Sequence, residues 1–532
     1  MSTDAAPLPS DVATCHALLA QLLEANAQLQ RRTEQLEHQL DQLLRRLYGP
    51  RSEQVDPNQL SLFDNGVVPE SPPAEPAETA PTISPAPVKN GHGRRRLPAN
   101  LPRRRLEHEL PAESLPCPGC GQVRIKIGTE TSEQLEYEPA SLYVVEHVRF
   151  KYACRGCQEH VVVADKPPQP IDKGLPGPGL LAFTAVSKYG DHLPLYRLEE
   201  ILARSGVEIP RSTTCGWMRQ CAELLEPLYQ RMAHEVLRSK VIHTDDTPVP
   251  VQDRALPRTR TGRFWAYCGD RQHPYSVYDY TPSRKRDGPA EFLKNFTGYL
   301  QADAFGGYDG IYAGSKGQII EVACWAHARR KFHEAQRTAG RVAHDALARI
   351  GQLYALEREL SESCAGTWSE LALEERYDRI ASARKQRAAP LLTALRTWLD
   401  AQQAAALPKS PIGQAIAYAI SNWDALARYP EQGYLAIDNN LAERTLRPAA
   451  IGRKNWLFVG NDQGGRTAAV LFTLMASAKS CGADPFAWLR DVLAQLPALV
   501  AAQPTPPDVS ELLPDRWIQT HPDARFNSNR AT

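Results

Sequence analysis

Between residues 50 and 98 this chain cannot build a core. Pro57, Pro69, Pro72, Pro73, Pro76, Pro81, Pro85 and Pro87 interrupt a stretch poor in aliphatic side chains. Each proline fixes one backbone dihedral and removes one donor, so neither helix nor sheet propagates through such spacing. The segment 50–98 reads as a flexible, partly extended linker. The chain must therefore fold as separate units. With 532 residues, roughly three or four are expected at about 100–200 residues each.

Before the linker, residues 14–49 read as a coiled coil. Leu22, Leu29, Leu36 and Leu43 recur every seven residues, which places Leu19, Asn26, Thr33, Leu40 and Leu47 at the other core position. One polar Asn26 in such a seam lowers stability but favours a two-stranded, in-register pair. Arg32 is placed to meet Glu37 of a second copy, and Gly49-Pro50 ends the helix. The expectation is a leucine zipper that makes the protein a homo-oligomer. The alternative is an amphipathic helix packed on its own protein.

After the linker come Arg94, Arg95, Arg96, Arg103, Arg104 and Arg105. The net charge of the whole chain is only +1, so any nucleic-acid signal is local. Cys117-Pro-Gly-Cys120 and Cys154-Arg-Gly-Cys157 follow, with 33 residues between the two knuckles. That spacing suits a tetrahedral four-thiolate Zn²⁺ site with no ligand position left open. A zinc ribbon-like module is expected over 106–165, with strand character in Leu142–Tyr152. Paired knuckles suit a reducing compartment. No apolar run of about 18 residues exists, and the N-terminus lacks a secretory pattern. The expectation is a cytoplasmic protein without a membrane partner.

Residues 170–237 read as helical. Leu195–Arg204, Gly206 and Ser212–Leu225 have helix-turn-helix proportions, with Ser212 as a candidate cap and DNA as a candidate partner. From 238 the pattern turns to strands: Val241–Val251, Arg263–Gly269, Pro274–Tyr280, Tyr299–Ala302 and Gln318–Cys324. A mixed α/β domain is expected over 238–460, interrupted by a helical insertion at about 330–430. A helical region over 461–515 and a tail over 516–532 complete the chain, with the Pro-rich stretch from 503 expected to be loose.

Three acids stand in separate segments of the α/β domain. Asp245 lies in VIHTDDTPVPV, Asp303 in GYLQADAFGGY and Glu443 in AIDNNLAERTLRP. Asp245 and Asp303 are expected near strand ends and Glu443 near a helix start. Carboxylates gathered from distant segments are the hard oxygen donors that hold two divalent ions for phosphoryl transfer. Arg444, Arg447, Arg453 and Lys454 follow the glutamate, which suits a phosphate backbone lying against the site. Cys324 and His327 could begin a metal site, but no second pair of suitable spacing lies nearby. They read as a structural or DNA-positioning element, with Arg329, Arg330 and Lys331 suited to phosphate contact.

The segment IDNNLAERTLRPAAIGRKNWLF resembles the C-terminal signature of the IS66-family transposases. YGPRSEQ, LPANLPRRR, the cysteine knuckles, KYGDHLPLYR, TDDTPV, LQADAFGGY, CWAHARRKF and GADPFAWL match the same family in the same order. The resemblance implies a leucine zipper, a zinc-binding module and an RNase H-like DDE catalytic domain. It implies Asp245, Asp303 and Glu443 as catalytic ligands of Mg²⁺ (or Mn²⁺), transposon ends and target DNA as partners, and accessory proteins of the same element. This chain has Asp245-Asp246-Thr247 where the family commonly has Asp-Glu-Thr, which leaves open which neighbour faces the metal. Two other functions remain: a DNA-binding regulator derived from a transposase, and a metal-dependent nuclease that never joins ends.

Overall fold

The computed structural model describes residues 168–526 except 173, 205, 254 and 503–506, together with the backbone of 151–152 and 162–163. The expected zipper, the linker, the arginine cluster and all four knuckle cysteines lie outside the described residues. Two short strands, β1 (Lys151–Tyr152) and β2 (Val162–Val163), pair antiparallel on either side of Cys154 and Cys157 in sequence.

The central sheet has five strands: β3 (Val241–Val251), β4 (Arg260–Cys268), β5 (Ser276–Thr281), β6 (Gly298–Gln301) and β7 (Ile319–Val322). Their spatial order is β5-β4-β3-β6-β7. β3, β4 and β5 form an antiparallel meander, while β6 and β7 run parallel to β3. Aromatic and β-branched side chains suit a pleated, covered surface. Phe264, Trp265, Tyr267, Val277 and Tyr278 are accordingly all buried.

β5 is an edge strand, and its outward N–H groups need partners. The helix Asp462–Ser480 covers them. Tyr278 N–H donates to Thr473 Oγ1 at 2.8 Å and Ser276 N–H donates to Ser477 Oγ at 3.2 Å. Thr473 and Ser477 are fully buried, so two hydroxyls on one helix face replace the missing neighbouring strand. The helix Arg211–Val236 packs beside it, and Tyr229 Oη donates to Tyr278 O at 3.1 Å.

Two expectations are corrected here. Ser212 is no cap: the helix starts at Arg211 behind the extended Pro210, and Ser212 sits exposed in the first turn. The stretch after 503 is not loose where it is described. The helix Pro514–Thr520 buries Trp517 and Ile518 across the expected start of the tail, and Trp517 Nε1 donates to Asp491 Oδ2 at 2.6 Å.

Between β7 and the return of the chain at about 436, helices Trp325–Ala335, Gly340–Ala365, Leu373–Ala405 and Pro411–Ser421 build an apolar cluster that also takes in Val241 of β3 and Val322 of β7. Ile350, Leu353, Leu356, Leu395 and Leu399 recur at helical spacing and are buried. Arg384 ties this block to the returning segment. Its guanidinium is bidentate to Glu357 at 2.9 and 2.7 Å. It also donates to the carbonyls of Tyr429, Gln432 and Leu435 at 3.2, 2.9 and 2.9 Å. Arg384→Met would strand Glu357 and three carbonyls in a site where the arginine is 4% exposed. A loss of about 3–5 kcal/mol is expected, seen as a lower denaturant midpoint. An unchanged midpoint would show that the network contributes nothing in solution.

Candidate active site

The site begins with strand register. β3 and β6 are parallel neighbours whose last paired positions are His243 and Gln301. Asp245 and Asp303 each follow their paired residue by two positions. Two adjacent parallel strands thus deliver two carboxylates at one level. Asp303 stands just past the end of β6, as expected. Asp245 does not stand near a strand end: it is in the middle of β3, which continues to Val251 along β4 after β6 has ended. The end that matters is that of the neighbouring strand.

The third acid arrives on the helix Asn440–Trp456, with Glu443 in its first turn, packed over β3 and β4. Buried amides hold its start in place. Asn439 is fully buried. Its Nδ2 donates to Thr244 O at 2.8 Å, and its Oδ1 lies 3.2 Å from His243 Nδ1. Gln301 Nε2 donates to the carbonyls of Ala436 and Asp438 at 2.6 and 3.2 Å, and Ala436 N–H returns a bond to Gln301 Oε1 at 3.3 Å. His243 and Gln301, paired where β6 ends, therefore both grip the segment that leads to Glu443. Asp438 closes the helix start, accepting from Asn440 N–H at 3.2 Å, and from Tyr354 Oη of the helical block at 3.2 Å. Asn439→Ala removes one partner from His243 and one from the Thr244 carbonyl, both buried. It is expected to cost about 1–3 kcal/mol. Chemical denaturation with unchanged midpoint would contradict these bonds.

The three acids feel one another. Burial, then the charge of Asp303 and more weakly that of Glu443, pushes the Asp245 carboxyl up to about 7; the Asp246 N–H, 2.8 Å from its own Oδ1, works in the opposite direction. Burial lifts Asp303 to about 6 against the opposing charge of Arg284. Glu443 is raised by burial and by Asp438 and Asp303, with Arg330 opposing.

Asp246 behaves differently. Its side chain is 2% exposed and meets Arg263 at 2.7 Å and Arg284 at 2.7 and 2.9 Å. Each carboxylate oxygen already has a guanidinium. Arg284 also stacks over Phe305 at 3.6 Å. Nothing in the spacing of the sequence announced Arg263 and Arg284, because they come from β4 and the loop after β5.

The cations expected at DNA divide into two sets. Arg444 and Lys454 are exposed on the helix of Glu443, and Arg330 is exposed but paired with Glu334 at 3.1 Å. Arg447 and Arg329 are partly buried and engaged within the protein. Arg453 donates to Thr247 Oγ1 at 3.1 Å and to Pro248 O, so it fastens the helix end to β3. Leu457, at φ 65°, then turns the chain out of the helix. Val459 pairs with β3 through Pro250 and Gln252.

Cys324 and His327 open the helix Trp325–Ala335. Their ligand atoms and those of Glu443 all lie within 4.8 Å of one another. The partner that sequence spacing could not supply is the glutamate of a distant segment.

The donor set fits divalent metal. Asp245, Asp303 and Glu443 are partly buried carboxylates, raised chiefly by burial and, for Asp245 and Glu443, by the charge of Asp303; hard oxygen donors of this kind are what a divalent cation takes.

A family model described as Transposase IS66 family matches residues 173–467. Models described as zinc-finger binding domain of transposase IS66 and IS66 C-terminal element match 115–158 and 473–514. One described as Transposase C of IS166 homeodomain matches 35–106. Among similar proteins, "Uncharacterized protein y4jD" of Sinorhizobium fredii (strain NBRC 101917 / NGR234) is 33% identical over 93% of this chain and 97% of its own length. "Uncharacterized protein y4hP" of the same strain is 31% identical over 91% of this chain and 88% of its own length. Among the described residues no helix is long and apolar enough to cross a membrane.

Proposed function

The chain belongs to the IS66 transposase family, and from that premise we propose that it cuts transposon ends and joins the 3′-hydroxyls to target DNA. The observation that carries this reading is the shared register of Asp245 and Asp303 beside Glu443. We read the sheet as RNase H-like, with Asp245, Asp303 and Glu443 as the residues that would hold two Mg²⁺ (or Mn²⁺). Bound there, such ions supply charge stabilisation to the entering and leaving oxygens of a phosphodiester. The protein itself supplies placement. Gln301, His243 and Asn439 fix the three carboxylates to one another. Arg444 and Lys454 present exposed positive charge for the phosphate backbone. Arg263 and Arg284 hold Asp246 out of the ligand set.

The zinc-binding module would be closed by Cys117, Cys120, Cys154 and Cys157 and, with the helices before 240, would recognise the terminal repeats. Cys117→Ser is expected to unfold the module at 115–158 and weaken end binding at least about tenfold. Unchanged affinity after zinc removal would refute this role. The zipper would join two subunits so that both ends are handled together, in the cytoplasm and with accessory proteins of the same element.

The deciding assay incubates the full chain with Mg²⁺, end-containing DNA and a target duplex. Joined products support the transposase reading. Hydrolysed ends without joining would make the protein a nuclease. Binding without either, where an active relative works, would make it a regulator.

A further inference from the structure

Glu443 has a second set of neighbours besides the aspartates. His327 Nδ1 stands 3.7 Å from Glu443 Oε1, too far for a hydrogen bond. That nitrogen is buried and has no hydrogen-bond partner. A buried ring nitrogen without a partner is an unsatisfied polar group, and a bound ion satisfies it. The Cys324 thiol completes the group within 4.8 Å. Its sulfur already accepts the Asn439 N–H at 3.2 Å, which orients it beside the start of the Glu443 helix. Ligand atoms around a tetrahedral zinc ion, with bonds of about 2.0–2.3 Å, are roughly 3.3–3.8 Å apart. The His327–Glu443 pair has that separation already, and the thiol needs a shift of about 1 Å, within reach of a side-chain rotation.

Donor chemistry separates this group from the aspartates. Sulfur, imidazole nitrogen and one carboxylate select a borderline or soft divalent ion, whereas an all-oxygen set selects Mg²⁺. Of the nearby cations, Arg330 binds Glu334 at 3.1 Å and Lys331 lies over the Tyr418 ring at 4.7 Å, and neither has a hydrogen bond or ion pair to Glu443.

We propose that Cys324 Sγ, His327 Nδ1 and the Glu443 carboxylate form a second metal site, for one zinc-class ion, which competes with the Mg²⁺ site for Glu443. On binding, the Cys324 thiol loses its proton to solvent and the thiolate becomes the ligand. Occupancy holds Glu443 against His327 and away from Asp245 and Asp303, so a zinc-class ion switches the phosphoryl-transfer centre off. The switching half rests on the function proposed above; the binding half does not.

The test uses the full chain with its zinc module already saturated with Zn²⁺, titrated with Co²⁺ as a spectroscopic probe. The expected result is one further Co²⁺ per chain with a thiolate-to-cobalt charge-transfer band. Cys324→Ser should abolish the band, and its hydroxyl can still accept the Asn439 N–H. His327→Gln, at a less buried position, should weaken the further Co²⁺ at least about tenfold. Equal stoichiometry and spectra in the wild type and both variants would overturn the site. In a second arm, each protein's Mg²⁺-dependent cleavage is compared with its own zinc-free rate. Micromolar Zn²⁺ should slow the wild type at least about tenfold and spare Cys324→Ser; equal inhibition would overturn the switch. A chain that cleaves nothing fails the proposed function, while the cobalt arm still decides the site.

Discussion

Glu443→Gln is expected to bind end-containing DNA with wild-type affinity and to cleave it at least about 10³-fold more slowly. A ligand that contributes to charge stabilisation in the transition state is worth several kcal/mol, and about 4 kcal/mol is a thousandfold. Binding should survive because the exposed cations Arg444 and Lys454 are untouched and one negative charge near the phosphates is gone. Folding should survive as well. Glutamine keeps the shape, and the charge it removes is one that Asp438 and Asp303 repel. The measurement is a single-turnover cleavage assay beside a salt-matched binding titration. Cleavage within tenfold of wild type would remove Glu443 from the metal site.

What the sequence made legible followed local rules. The eleven-residue strand Val241–Val251 was readable from its β-branched pattern and turn boundaries, and the helix Leu195–Arg204 from its apolar period. The zipper and the cysteine knuckles were equally plain as patterns, but lie outside the described residues. Asp303 and Glu443 could be singled out because their surroundings are unusual for surface acids. What stayed hidden is whatever depends on pairing. No period in the sequence says that His243 stands opposite Gln301, and that register puts a carboxylate in mid-strand level with Asp303. Gln301 escaped notice, and Asn439 stood only as part of the motif leading to Glu443, because a buried amide resembles a surface one until its partners are known. The one available signal was an amide at the end of an apolar run in GYLQ. Arg453 was placed at DNA on its charge and its position after Glu443, and its bonds to Thr247 and Pro248 tie the helix to β3 as well. The 140-position gap between Asp303 and Glu443 is bridged by the helical block, whose apolar cluster reaches the sheet through Val241 and Val322.

The neighbours Asp245 and Asp246 are expected to separate cleanly under the same substitution. Asp245→Asn should lose cleavage at least about 10³-fold and gain stability in metal-free protein at neutral pH. The sign follows from linkage. The Asp245 carboxyl titrates at about 7 in the folded chain against a reference of 3.8. The folded state therefore holds this proton more tightly than the unfolded state. Stability is fully present below about pH 4, falls as pH rises through the window to about 7, and is flat beyond. Three units at 1.36 kcal/mol each put the decline on the order of 4 kcal/mol, and asparagine abolishes it. Mg²⁺ should offset the same decline in the wild type, more at pH 7 than at pH 5. Asp246→Asn should do the reverse. It unpairs Arg263 and Arg284 from a side chain that is 2% exposed, costing about 2–4 kcal/mol. Residual cleavage per folded molecule should stay well above that of Asp245→Asn, because both Asp246 oxygens already accept from guanidinium. Denaturation at pH 5 and pH 7, with and without Mg²⁺, measures the stability half, and single-turnover cleavage the other. If Asp246→Asn proved the inactive one while Asp245→Asn still cut, the first metal ligand would be Asp246 and the arginines would have to release it when DNA arrives.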